Sequence, residues 1–198
     1  MRALTLYARS RRVPAALGAA AAATALARLT APALGDSGET GATVPVLTVL
    51  LLVTVVSATL GGPDDTLDRT AARPWGWLRM SHLATALACV LVLLLATSAT
   101  GTRLGPFGCV VRDAAGLLGL TAAGTAAAGT ARSWFLPLGW TLGAVTLPAT
   151  GMAGEALTWQ AQTPDSRPAA VVAAVLAAAG TAAYVSRGPR PRTSSENI

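Results

Sequence analysis

Apolar residues run together along this chain in six stretches, at 13–29, 44–60, 82–100, 114–130, 134–149 and 168–185, and the polar residues gather in the connectors between them. Most of these stretches approach the roughly 20 residues that a helix needs to cross a bilayer. The pattern therefore predicts an all-α fold: a polytopic membrane helical bundle of about six transmembrane helices. A single transmembrane domain is expected over 1–186, with its longest connector at 61–81, followed by a polar, proline-bearing tail at 187–198 without periodicity, expected to be disordered. The leucine- and valine-rich segments 49–53 and 90–95 should insert unaided. The first and last stretches draw most of their apolarity from alanine, which gives less insertion energy, and are expected to depend on neighbours.

The first stretch also has features of an export signal: a basic leader (Arg2, Arg9, Arg11, Arg12) and the small-residue sequence Ala31-Pro32-Ala33. The bulky apolar residues that normally follow a twin-arginine pair are replaced by Val13-Pro14-Ala15, which favours retention. Retention gives six helices and cleavage five.

Composition agrees with the pattern. The 198 residues are 53% hydrophobic and 12% charged, and the mean hydropathy is +0.53, outside the soluble globular range. The net charge of +6 would suggest nucleic acid in a soluble protein. Here all fifteen basic residues are arginines placed mainly at the ends of apolar stretches, so the basicity reads as orientation and no nucleic-acid partner is expected. With the N terminus inside, eleven arginines fall in inside segments and four (Arg28, Arg103, Arg112, Arg167) outside, so both termini are expected to be cytoplasmic. The expected location is the cell membrane, multi-pass, with the lipid bilayer as the principal surrounding.

Small residues mark where backbones should approach. Gly116, Gly119 and Gly124 lie in the fourth stretch, and Gly139 and Gly143 form a small-xxx-small pair in the fifth. Because water drives no helix association inside lipid, close backbone contact takes over. The fourth and fifth stretches are therefore the expected central pair, as internal scaffold or as the seam of a homodimer.

The connector carries the most information. Gly61-Gly62-Pro63 ends the second stretch, Asp64 or Asp65 can cap a short helix over 66–73, and Pro74 stops it. Trp75 and Trp77 are expected at headgroup level, with Arg79 facing phosphates. The residues Leu67, Asp68, Pro74, Arg79 and His82, within a chain of about six spans, resemble the membrane subunits of type-2 ABC transporters. There an acidic residue, a short helix, a proline and a basic or polar entry to the third span lie between spans two and three. That resemblance implies a coupling element that docks on a separate ATPase subunit, with Asp68, Arg69, Arg73, Pro74, Trp75, Trp77 and Arg79 as the partner-contact connector. The segment 151–168, with Glu155 and Trp159, is similar in place to the family's short outer-leaflet helices. The chain is shorter than most such subunits, and the glutamate-glycine-threonine pattern often found at the coupling helix is degenerate here. A solvated loop with an aromatic belt is the alternative for the connector.

No enzyme is expected. Asp64-Asp65-Thr66-Leu67-Asp68 matches the DDxxD pattern that holds magnesium-diphosphate in prenyl-transferring enzymes, but the remaining acids form no second cluster to face it. His82 is the only histidine, which excludes multi-histidine metal sites. Lysine is absent, so no Gly-Lys-Ser/Thr phosphate loop exists and any ATP-derived energy must come from a partner. No cofactor is implied. Cys89 and Cys109 lack metal-ligand spacing and are expected to pack. Arg112-Asp113 is the only charged pair near the hydrocarbon region, expected either as a boundary anchor or on a substrate path.

The reading is thus a membrane-spanning subunit of an ABC-type transporter. A non-transporting membrane protein that anchors or regulates another complex is the second reading.

Overall fold

A computed structural model describes residues 43–61, 75–99, 105–146 and 151–190, together with six isolated positions between 15 and 25. Every regular element among the described residues is helical: α1 (Thr43–Ser57), α2 (Trp75–Ala99), α3 (Phe107–Ala128), α4 (Phe135–Thr146), α5 (Gly151–Leu157) and α6 (Arg167–Arg187). Two short 3₁₀ turns, Thr130–Arg132 and Trp159–Ala161, join α3 to α4 and α5 to α6.

The termini follow from local chemistry. Ser166 caps α6 by accepting from the Ala169 N–H, and Pro168 sits where a missing N–H costs nothing. At the other end, Gly188 at φ 70° returns its N–H to the Tyr184 carbonyl. Gly129, at φ 85°, ends α3 in the same way on Thr125.

Three helices, α2, α3 and α6, are long and apolar enough to cross a membrane. At 1.5 Å per residue, a helix of 21 residues or more spans about 30 Å, the thickness of the hydrocarbon layer. The expectation of six spans is met only in part. α1 has 15 residues, the fifth stretch folds as a helix of only 12, roughly 18 Å long, and the first stretch lies largely outside the described residues.

The large apolar side chains that point outward, among them Leu47, Val92, Leu95, Leu142, Val171 and Val175, would be a liability in water. Against lipid they are in their natural solvent, and they mark the protein as membrane-associated.

α3 is the centre of the bundle. Its buried residues run almost without a gap from Asp113 to Thr125, so it is covered on all sides, while α2 and α6 bury only a stripe. The central pair is α3 with α6, not the fourth stretch with the fifth. A Cβ on Gly119 would strike the backbone of Leu176 and Ala177, and one on Gly180 would strike the backbone of Gly119. Gly116 receives the Trp159 indole and Gly124 the backbone of Ser133, whereas a Cβ on Gly139 or Gly143 would meet nothing within 4 Å. The reason is the alanine background of α6: with Ala169 and Ala173 wholly or almost wholly buried, the helix presents a face so low that one glycine suffices for contact.

α3 and α6 run parallel. Arg112, near the start of α3, bonds Gln162 and Thr163 just before α6, and at the far end the Arg190 N–H bonds the Thr125 carbonyl. α1 runs the same way, because its exit at Leu60 meets Tyr184 near the end of α6. α2 runs oppositely, its early residue Arg79 reaching Val185. This alternation sorts the charges. One end of the bundle collects Arg79, Arg132, Arg187 and Arg190 with no acid among the described residues, and the other collects Arg112, Asp113, Glu155, Asp165 and Arg167.

Candidate functional site

At the end that collects Arg79, Arg132, Arg187 and Arg190, two side chains tie the two ends of the long connector to one helix. Tyr184 is fully buried and its hydroxyl donates to the Leu60 carbonyl at 2.6 Å. Arg79 donates from Nη1 to the Val185 carbonyl at 3.2 Å, and its guanidinium lies where a side chain on Gly188 would sit. A cation at a helix C terminus meets the negative end of the helix dipole. Arg79 was expected to face phosphates, and one of its N–H groups is used on the end of α6. Trp77 is 74% exposed, as a headgroup-level indole would be, and Trp75 opens α2 partly covered. His82 Nε2 stands 3.2 Å from Thr59 Oγ1, a contact that also crosses the connector. Asp68, Arg69, Arg73 and Pro74, the remaining coupling residues, lie outside the described residues.

The opposite end holds a buried polar cluster. Arg112 and Asp113 are only 9% and 8% exposed in their side chains. Arg112 donates from Nε to Asp113 Oδ1 (3.0 Å), from Nη1 to the Thr163 carbonyl (3.1 Å) and from Nη2 to the Gln162 carbonyl (3.0 Å). The planar guanidinium thus spans α3 and the turn that leads into α6, a geometry lysine could not reproduce. Three of the five guanidinium N–H donors of Arg112 are thus taken by protein oxygens.

Trp159 and Gln160, on the 3₁₀ turn, complete the cluster. Trp159 is fully buried over Gly116, and its Nε1 has no hydrogen-bond partner. Gln160 is 4% exposed with both Oε1 and Nε2 unpaired. Buried polar groups are ordinarily satisfied, so three orphaned atoms on adjacent residues stand out. Three nearby groups bond elsewhere: Gln162 Nε2 donates to Thr158 Oγ1 (2.7 Å), Ser166 to Glu155 (3.2 Å), and Trp140 Nε1 to the Leu157 carbonyl (3.0 Å).

Gln160 and Asp113 line a cleft of about 230 Å³ walled by Val46 and Val49 of α1 and Val110 of α3. A second cleft of about 330 Å³ opens on the other side of Cys109, between α3 and α6. Four of its walls are alanines, and Arg112 is its one charged lining residue among the described residues.

Sequence reasoning singled out Arg112 and Asp113 but missed Gln160 and Tyr184. No group of three or more metal-ligating side chains occurs among the described residues. The cluster offers hydrogen-bond donors and acceptors around one ion pair. No protein-family profile, curated protein or solved structure matches the chain.

Proposed function

We propose that this chain is a multi-pass cell-membrane protein acting as the membrane-spanning subunit of an ABC-type transporter, with energy supplied by a separate ATPase subunit. The observation that carries this reading is the double tie of the connector to α6. Leu60 precedes the connector and Arg79 lies at its far end, and both bond the last turn of α6, at Tyr184 and Val185. A partner that pushed on the connector would move α6, and α6 is keyed to the central helix by the Gly119–Gly180 contact. Such linkage is what a coupling element requires. The short helix α5 and its 3₁₀ turn at the opposite end, directly before the last long helix, fit the same arrangement.

One observation favours the second reading, in which the protein anchors or regulates a complex without moving a substrate. The core threonines Thr97, Thr121, Thr125 and Thr141 all return their hydroxyls to carbonyls four residues back, and the α3–α6 seam is closed at backbone contact. A polar path would then have to form between copies. Purification in mild detergent distinguishes the two. The transport reading requires a stoichiometric nucleotide-binding subunit whose recovery falls when Asp68 or Arg73 is replaced while membrane insertion is unchanged. Recovery of the protein without such a subunit supports the anchor.

A further inference from the structure

We propose that the 3₁₀ turn Trp159–Ala161, with the residues that follow it up to Pro164, is a movable gate between two clefts, and that Arg112 is its latch. The gate needs no ATPase partner. The clefts, of about 230 Å³ and about 330 Å³, have only Cys109 and Pro164 in common among their lining residues. Every residue from Gln160 to Pro164 lines the smaller one, and Arg112 lines the larger. This stretch of chain is therefore the partition. If it moves, the groove between α3 and α6, with exposed Ala170 and Ala174 on its rim, opens into the space beside α1.

Two opposed sets of interactions meet in this turn. The closed arrangement is held by the Trp159 ring, fully buried on Gly116, and by the two Arg112 donors on the Gln162 and Thr163 carbonyls. Against it stand Trp159 Nε1 and both polar atoms of the Gln160 amide, closed off from partners and from solvent alike. A buried polar group left unpaired has a free-energy cost that exposure recovers. The core of α3 carries no such conflict, since Thr121 and Thr125 bond carbonyls of their own helix. Depth adds to the argument. Gly116 lies more than two turns into α3, so the turn reaches about 13 Å past the start of that helix at 1.5 Å per residue. Irregular backbone at membrane depth persists where protein covers it or where it lines a wet cavity. The closed turn meets the first condition, and the adjoining cleft supplies the second. Gln160 borders that cleft while its amide is shut off from it, so an outward shift of the turn carries the amide into water. An element balanced in this way has two arrangements, as a gate must.

Hydrogen exchange on the full-length protein in mild detergent tests the gate. The amides of Thr158, Ala161 and Gln162 are all bonded within the segment, so their exchange reports its opening. They should exchange at least tenfold faster than the amides of 117–125 in α3. Gln160→Met keeps the side-chain length and removes the unpaired amide, and should slow that exchange about tenfold, the population shift that follows from relieving one buried unpaired group. Arg112→Lys keeps a charge beside Asp113 but lacks the fork that grips two carbonyls, and should speed it about tenfold. Cys109 borders both clefts, so in a Cys89→Ala background its labelling by a maleimide should rise and fall in the same order. Exchange of the turn as slow as that of α3 overturns the gate. So does unchanged exchange in Gln160→Met, which would mean that the amide finds its partner by turning alone. Exchange that responds while Cys109 labelling does not would show a turn that moves without joining the clefts, and overturns it too. Should Arg112→Lys lose its helical circular dichroism, Gln160→Met decides, and should both lose it, the wild-type comparison of the turn with α3 decides.

Discussion

Tyr184 and Leu60, 124 residues apart in sequence, are joined by a 2.6 Å hydrogen bond in which the buried phenol donates to a main-chain carbonyl. The bond closes the turn that ends α1 onto the last turn of α6 and fixes where the long connector begins. Tyr184→Phe removes the hydroxyl, leaves the ring in place and deletes its bond to the Leu60 carbonyl. A loss of about 0.5–1.5 kcal/mol is expected. Thermal unfolding in detergent measures it, and an unchanged midpoint would show that the carbonyl finds another donor.

Alanine at Gly180 or Gly119 has no room, because the colliding atoms are main chain and cannot rotate away. Either substitution should force α3 and α6 apart at a cost of about 3 kcal/mol or more. Gly139→Ala and Gly143→Ala meet open space and should be neutral, or stabilising by about 0.5–1 kcal/mol through helix propensity. The four variants, compared by retained helicity on heating, test which glycines form the seam. Equal sensitivity of all four would return the seam to the fifth stretch.

Removing one member of the buried ion pair should hurt more than removing both. Arg112→Ala leaves Asp113 as an uncompensated carboxylate and orphans two carbonyls, at an expected cost of about 3–5 kcal/mol. The double variant Arg112→Ala with Asp113→Asn no longer buries a charge and should recover part of that loss. A double-variant cycle with no recovery would mean that the carbonyl bonds, and not the charge pair, dominate.

The direction of the helices makes a prediction about sidedness. With Cys89 and Cys109 replaced by alanine, single cysteines at positions 132 and 190 should be labelled from one face of sealed vesicles, and at positions 155 and 165 from the other. Labelling of all four from the same face would contradict a bundle that crosses the bilayer.

What the sequence made legible was what depends on local composition. Helical character and the partition of arginines to two ends follow from runs of apolar residues and the charges between them, and the described residues repeat both. Partner choice among helices was not legible, because Gly180 stands alone among alanines while Gly139 and Gly143 form a recognisable spacing, and spacing says nothing about which face a helix turns inward. The polar cluster was half legible. Arg112-Asp113 is visible as a charged pair beside an apolar stretch, but Gln160 sits in a three-residue turn with no period to betray it. Only the fold brings it to Asp113 across the gap between two helices.

The four guanidinium groups described at one end of the bundle give it a handle on its lipid surroundings. A surface rich in phosphatidylserine or phosphatidylglycerol attracts each group near it by up to about 1 kcal/mol. Asp64, Asp65 and Asp68, in the connector between Leu60 and Trp75, carry the opposite charge and offset part of that pull. Raising the ionic strength screens both contributions.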